Sequence, residues 1–142
     1  MTEHREFTLQ RRYGRPRAEV WAAWADPALK AAWFSRGEHS LDFRVGGEER
    51  GVSHDAMGEH VNAGRYFEID PGRRIVLAYS MALNGRVHTV SLTTIVLEDD
   101  GEAGTRLTFT EQMCVMPPSD GAPGRQQGWG VLLDRLGETL AR

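Results

Sequence analysis

The sequence predicts an α+β fold: a curved seven-stranded antiparallel sheet around one long C-terminal helix, with two short helices after the first strand. Three observations carry this expectation. Two helix starts, Pro16 and Asp26-Pro27, stand back to back after a single strand-like segment. Six segments of strand character then follow with only turn-length breaks, so consecutive strands pair antiparallel. Near the end, Trp129, Leu132, Leu133, Leu136 and Leu140 recur at helical spacing and form one apolar stripe.

Each element has a local reason. Phe7, Leu9 and Tyr13 alternate with Glu6, Thr8, Gln10 and Arg12, the pattern of a half-buried strand. Pro16 can open a helix over 16–24, because a first helical residue loses nothing by lacking an N–H. Asp26 supplies a side-chain cap for a second helix over 27–33. Leu41, Phe43 and Val45 alternate with Ser40, Asp42 and Arg44 as the second strand, which Gly46-Gly47 closes. Strands are expected over 48–54 and 60–69, and Asp70-Pro71-Gly72 ends the latter.

Asn84-Gly85 is the strongest hairpin signal, since both positions tolerate positive φ. A two-residue loop then pairs Leu83 with Arg86, Met81 with His88, Tyr79 with Val90, Leu77 with Leu92 and Ile75 with Thr94. That register turns an apolar face inward and leaves Ala78, Ser80, Thr89, Ser91 and Thr93 outside. The strand over 105–115 sets Leu107, Phe109, Glu111 and Met113 on one face. Residues 116–124, Met-Pro-Pro-Ser-Asp-Gly-Ala-Pro-Gly, continue no element, and the last helix is expected near 124–140. Gly128, Gly130 and Gly137 inside it each cost about 1 kcal/mol against alanine. They call for either close packing or a cavity mouth.

The 142 residues are expected to form one domain. A net charge of −3 with both signs interspersed leaves no basic footprint, so nucleic acid is not an expected partner. Lys30 is the only lysine among 17 Lys and Arg residues, a bias read as the codon usage of a GC-rich bacterial genome. Cys114 is the single cysteine, which excludes an internal disulfide, and no basic or His neighbour activates it. No apolar leader or membrane-length run is present, so a cytoplasmic protein without a membrane partner is expected. His4, His39, His54 and His60 lack metal-ligand spacing, and Gly46-Gly47 opens no helix as a phosphate loop would. No metal and no cofactor are therefore expected. The chain is read as a monomer or homodimer.

A curved sheet wrapped around one helix leaves a space between them, and a small hydrophobic molecule is the expected partner. Its wall is expected from Trp33, Phe34, Met57, Leu77, Met81, Val90, Leu92, Phe109, Met113, Trp129 and Leu133. The methionines suit an adaptable surface. Its polar points are expected from Tyr66, Tyr79, His88 and Glu111. His88 and Glu111 fall inward on neighbouring strands, within a diagonal reach of roughly 7–8 Å. Such a pair serves acid/base chemistry, or satisfies itself as a buried polar pair, and both readings stand.

Several ordered segments carry a resemblance. They are Glu19-Val20-Trp21 with Asp26-Pro27 and Trp33-Phe34; Asp42-Phe43-Arg44-Val45-Gly46-Gly47; Ile69-Asp70-Pro71 with Arg74-Ile75-Val76; Gly104-Thr105-Arg106-Leu107-Thr108; and Gly128-Trp129 before Leu132-Leu133. Together they resemble the START/Bet v 1-like (SRPBCC) superfamily, in the branch named after the C-terminal domain of the activator of heat-shock protein 90 ATPase. The resemblance implies the helix-grip fold. It also implies a choice among functions, because this superfamily hosts ligand carriers, cyclases, hydrolase-like enzymes and co-chaperone domains. Beside ligand binding, the alternatives are an enzyme acting on a small cyclic or polyketide-like substrate through His88 and Glu111, and a chaperone-assisting interaction domain.

Overall fold

The computed structural model describes residues 2–117, 119 and 121–142. Its elements run β1 (Glu3–Tyr13), α1 (Arg17–Ala25), α2 (Pro27–Phe34), β2 (Glu38–Leu41), β3 (Glu48–Asp55), β4 (Gly58–Asp70), β5 (Arg74–Leu83), β6 (Arg86–Asp99), β7 (Thr105–Val115) and α3 (Gly121–Leu140). The strands form one sheet in the order β1-β7-β6-β5-β4-β3-β2, with every neighbouring pair antiparallel. This is the helix-grip arrangement. Residues 118 and 120 of the Pro-rich connection before α3 lie outside the described residues.

Local chemistry sets the helical end of the molecule. The Pro16 carbonyl accepts from the N–H groups of Glu19 and Val20, so Pro16 is the cap and Arg17 the first helical residue. Asp26 Oδ1 accepts from the N–H groups of Ala28 and Leu29 at 2.9 and 3.1 Å, and Pro27 opens α2. The two helices meet α3 and the sheet through an aromatic cluster. Trp24 and Trp33 lie edge to face at 4.8 Å, Trp24 stacks on Trp129 at 6.1 Å, and Trp129 meets Phe109 at 4.3 Å. Such pairs add about 0.5–1.5 kcal/mol each beyond their buried area. At the far end of α3, the Tyr13 hydroxyl donates to the Leu133 carbonyl at 2.8 Å, and a Cβ at Gly137 would stand 3.2 Å from the Tyr13 ring. Gly137 is therefore a close-packing glycine. Gly128 has nothing within 4 Å of its Cβ position, so packing does not require it.

Two expectations about strands are corrected. The second strand ends at Leu41, and residues 42–47 form a turn. The Asp42 carbonyl accepts from the Arg44 N–H and the Arg44 carbonyl from the Gly47 N–H, while Arg44 Nε donates to Asp42 Oδ2. A Cβ at Gly47 would lie 2.0 Å from the Asp42 carbonyl oxygen, so only glycine fits that turn. Phe43 leaves the strand pattern to pack against Trp21 and Tyr66, and Val45 is exposed.

The second correction concerns the β5–β6 hairpin. Asn84 and Gly85 take φ of 51° and 82°, and Leu83 pairs with Arg86 as the turn dictates. Ala82 then pairs with Val87, but Met81 pairs with Thr89, which leaves His88 as an extra residue. Past this bulge the whole of β6 is displaced by one place: Tyr79 faces Ser91, Leu77 faces Thr93 and Ile75 faces Ile95. With a side-chain period of two, that displacement exchanges the faces of the strand. Thr89, Ser91 and Thr93 are buried, whereas Val90 and Leu92 are 46% and 43% exposed on the outer surface. His88 does turn inward and is buried, but it is not opposite Met81.

Candidate functional site

A cleft of about 820 Å³ opens between α3 and the strands from β2 to β6. Phe34, Met81, Leu83, Trp129, Val131 and Leu132 supply its apolar surface, and Met57 and His60 stand at its rim near the β3–β4 turn. Phe34 bridges two ring contacts, 5.8 Å to Trp129 and 5.5 Å to His39. The polar side chains that reach the cleft include His39, Asn62, Tyr79, His88 and Arg125. At the rim, His60 Nε2 lies 2.9 Å from Asp55 Oδ2.

Two buried polar clusters stand behind this surface. In the first, Glu111 is fully buried, and its carboxylate accepts from the Tyr79 hydroxyl at 2.6 Å, the Ser91 hydroxyl at 2.8 Å and Arg125 Nη1 at 3.0 Å. Arg125 Nη1 also donates to the Tyr79 oxygen at 3.0 Å and Nη2 to Thr89 Oγ1 at 2.7 Å. Trp129 Nε1 donates to the same Tyr79 oxygen at 3.1 Å. The Tyr79 hydroxyl thus gives its one proton to Glu111 and receives two bonds, which uses its whole capacity. Burial pushes the Tyr79 phenol well up; Arg125 opposes this and Glu111 adds to it. Burial works against the Arg125 cation, but Tyr79 and Glu111 outweigh it and raise its value. The bulge at His88 makes this cluster, because it brings Thr89 and Ser91 inside.

In the second cluster, Lys30 and Glu49 are 2% and 3% exposed. Lys30 Nζ lies 2.7 Å from both carboxylate oxygens of Glu49. The Tyr66 hydroxyl donates to Glu49 Oε1 at 2.7 Å, and His39 Nε2 meets Oε2 at 2.7 Å. The Lys30 ammonium also sits 4.6 Å from the Phe34 ring centroid. Burial alone would push the Glu49 carboxyl up. The Lys30 charge and the bonds from His39, Lys30 and Tyr66 overcome it and hold the group at about 2. Burial, and then the Glu49 charge, push the Tyr66 phenol up. Of this cluster only His39 reaches the cleft.

The structure sorts the residues expected at the site. Phe34, Met57, Tyr79, Met81, His88 and Trp129 line the cleft. Trp33, Tyr66, Leu77, Phe109, Met113 and Leu133 are buried in the packed core instead. Val90 and Leu92 are on the opposite face, for the register reason given above. Glu111 is inward but does not line the cleft, and Arg125 with Tyr79 stands in front of its carboxylate. His88 lines the cleft, and Glu111 meets it through Tyr79 and Arg125.

Sequence reasoning missed Arg125, Lys30, Glu49 and His39. A signal existed for two of them. Arg125 lies four residues before Trp129 and extends the apolar stripe of α3 onto the same face. Lys30, three residues before Trp33, is the one lysine in a chain that otherwise uses arginine, and it interrupts an apolar helix. Among the described residues, no group of three or more His, Cys, Asp or Glu side chains could hold a metal ion. No helix among them is long and apolar enough to cross a membrane.

The family model described as Activator of Hsp90 ATPase homolog 1-like protein matches residues 15–141. The chain belongs to that family. An uncharacterized protein from Rhizobium leguminosarum is 34% identical with a TM-score of 0.95, over all of this chain and 97% of that one. The Mll3558 protein from Rhizobium loti is 36% identical with a TM-score of 0.90, over 98% of this family member and 99% of its own length. CalU16 from Micromonospora echinospora shares the fold at 23% identity and a TM-score of 0.71, over 99% of this chain and 86% of that one. No curated protein matches.

Proposed function

We propose that the protein binds a small, uncharged hydrophobic molecule in the cleft between α3 and the sheet. The observation that carries this reading is the cleft itself: about 820 Å³ of unfilled space, walled by Phe34, Met81, Leu83 and Trp129. That volume falls within the usual range of small-molecule sites, roughly 300–1,000 Å³. The charge argument supports an uncharged guest. Arg125 is matched by Glu111 at 3.0 Å, and Glu49 behind His39 is matched by Lys30 at 2.7 Å. Arg36 and Glu38, which also line the cleft, are exposed and of opposite sign, so a guest ion would meet no net charge there and would lose its hydration. The chaperone-assisting alternative would use the outer face, where Val87, Val90 and Leu92 are exposed, but it gives no reason for a cavity of this size.

Nile red, a neutral fluorophore that brightens in apolar surroundings, tests the reading. Saturable one-to-one enhancement is expected. Gly128→Trp places a large side chain at a cleft position with nothing within 4 Å, and should abolish the signal while the far-ultraviolet spectrum stays native. Enhancement that does not saturate, or that survives unchanged in Gly128→Trp, overturns the proposal.

A further inference from the structure

Resting on the cleft-binding reading, we infer that His39 Nδ1 is a hydrogen-bond acceptor for the guest, so that the molecule taken up carries an O–H or N–H donor on an otherwise apolar body. The argument begins behind the histidine. Glu49 is an ionised carboxylate held by Lys30 and Tyr66, and its Oε2 lies 2.7 Å from His39 Nε2. A carboxylate only accepts, so Nε2 must carry the ring proton. In a neutral imidazole the other nitrogen, Nδ1, is then an acceptor with no proton to give.

The charge balance favours the neutral ring. Lys30 already supplies the one cation that Glu49 needs, and both are almost wholly buried. A protonated His39 would put two cations on one buried carboxylate, an arrangement with an uncompensated charge. The four groups therefore form a closed unit in which Lys30, Tyr66 and His39 donate and Glu49 accepts. Glu49 fixes the tautomer and orientation of a ring that lines the cleft beside Phe34. The Tyr79 hydroxyl cannot take the same part, since its bonding capacity is used by Glu111, Arg125 and Trp129. The cleft thus has a pre-oriented acceptor in His39, and Lys30 acts on it only through Glu49, as a positioning residue.

A matched pair of neutral probes separates this inference from the reading it rests on. 1-Naphthol and 1-methoxynaphthalene share an apolar ring system, but only the first has a donor. Isothermal titration should show naphthol binding about tenfold tighter, the effect of one hydrogen bond of ordinary strength. His39→Phe should reduce that ratio to about one, and His39→Gln, which keeps a donor for Glu49 and an acceptor for the guest, should retain part of it. The wild-type protein gives an independent readout if the phenylalanine variant does not fold. The ¹⁵N resonance of His39 Nδ1 should shift on adding naphthol and stay in place with methoxynaphthalene. Equal affinity for both probes in the wild type overturns the inference and leaves the cleft reading intact. A preference that persists in His39→Phe also overturns it, because the acceptor would then lie elsewhere. Absence of binding by both probes overturns the cleft reading, and the inference falls with it.

Discussion

Replacing Lys30 with methionine should be among the most costly single changes in this protein. The variant keeps the length and apolar stem of the side chain and removes only the charge. Glu49 would remain 3% exposed with His39 and Tyr66 as its partners and no cation beside it. Breaking a buried pair in this way costs about 3–5 kcal/mol, a large part of the 5–15 kcal/mol that typically holds a domain together. The carboxyl itself gives a second measure of the same size. It titrates at about 2 when folded against an ordinary 4.5, a difference worth about 3 kcal/mol. Because the folded value is depressed, this contribution is complete above the unfolded value of 4.5 and is lost as pH falls from there through about 2. In Lys30→Met the main force lowering the Glu49 carboxyl is gone and burial pushes it up instead, so acidification relieves the variant while it weakens the native protein. Urea unfolding followed by tryptophan fluorescence, run near pH 7 and near pH 3, should show a wide stability gap that narrows on acidification. A gap below about 1 kcal/mol near pH 7, or one of equal width at both pH values, would refute the assignment of Lys30 and Glu49 as an obligate buried pair.

Glu111→Gln should lower stability by about 1.5–3 kcal/mol, the worth of a hydrogen bond to a charged group, because it leaves Arg125 without its counter-ion; a thermal melt within 2 °C of the native protein (roughly the shift expected from well under 1 kcal/mol) would contradict that. Gly128→Ala should raise stability by up to about 1 kcal/mol, since the methyl meets nothing within 4 Å, whereas Gly137→Ala should gain nothing, its methyl standing 3.2 Å from the Tyr13 ring. Paired urea melts check the contrast, and equal stabilisation by both changes would count against it.

The fold was legible because its signals were local. Asp26-Pro27 announces α2, the stripe from Trp129 to Leu140 announces α3, and Asn84-Gly85 fixes the tip of its hairpin. The site was less legible because one residue changes the meaning of a whole strand. Reading β6 from the turn assumes an unbroken ladder, and the apolar residues Val90 and Leu92 then fall inward by periodicity. The bulge at His88 exchanges the faces, and Thr89 and Ser91 go inside because Arg125 and Glu111 are there to bond them. Those partners lie 36 and 20 residues further along the chain. The Lys30–Glu49 pair was hidden for a similar reason: it joins a helix to a strand, and no short-range pattern connects them. Functional clusters are where local pattern and global structure are expected to disagree.

The side chain of Asn84 ties two turns together. Its Oδ1 accepts from the Glu59 N–H and its Nδ2 donates to the Met57 carbonyl, while its own N–H donates to the Glu59 carbonyl. The tips of the β3–β4 and β5–β6 hairpins are thereby riveted into one lip, which carries Met57, His60 and Leu83 along the edge of the cleft. A Cβ at Gly58 would collide with the Asn84 amide at 2.1 Å, so the rivet and that glycine require each other. Across the cleft from this lip, Gly124 and Gly128 leave α3 without side chains. A single methyl at position 128 would steady the helix and narrow the cleft together, so under the proposed binding function the helical stability forgone there is the counterpart of room for the guest.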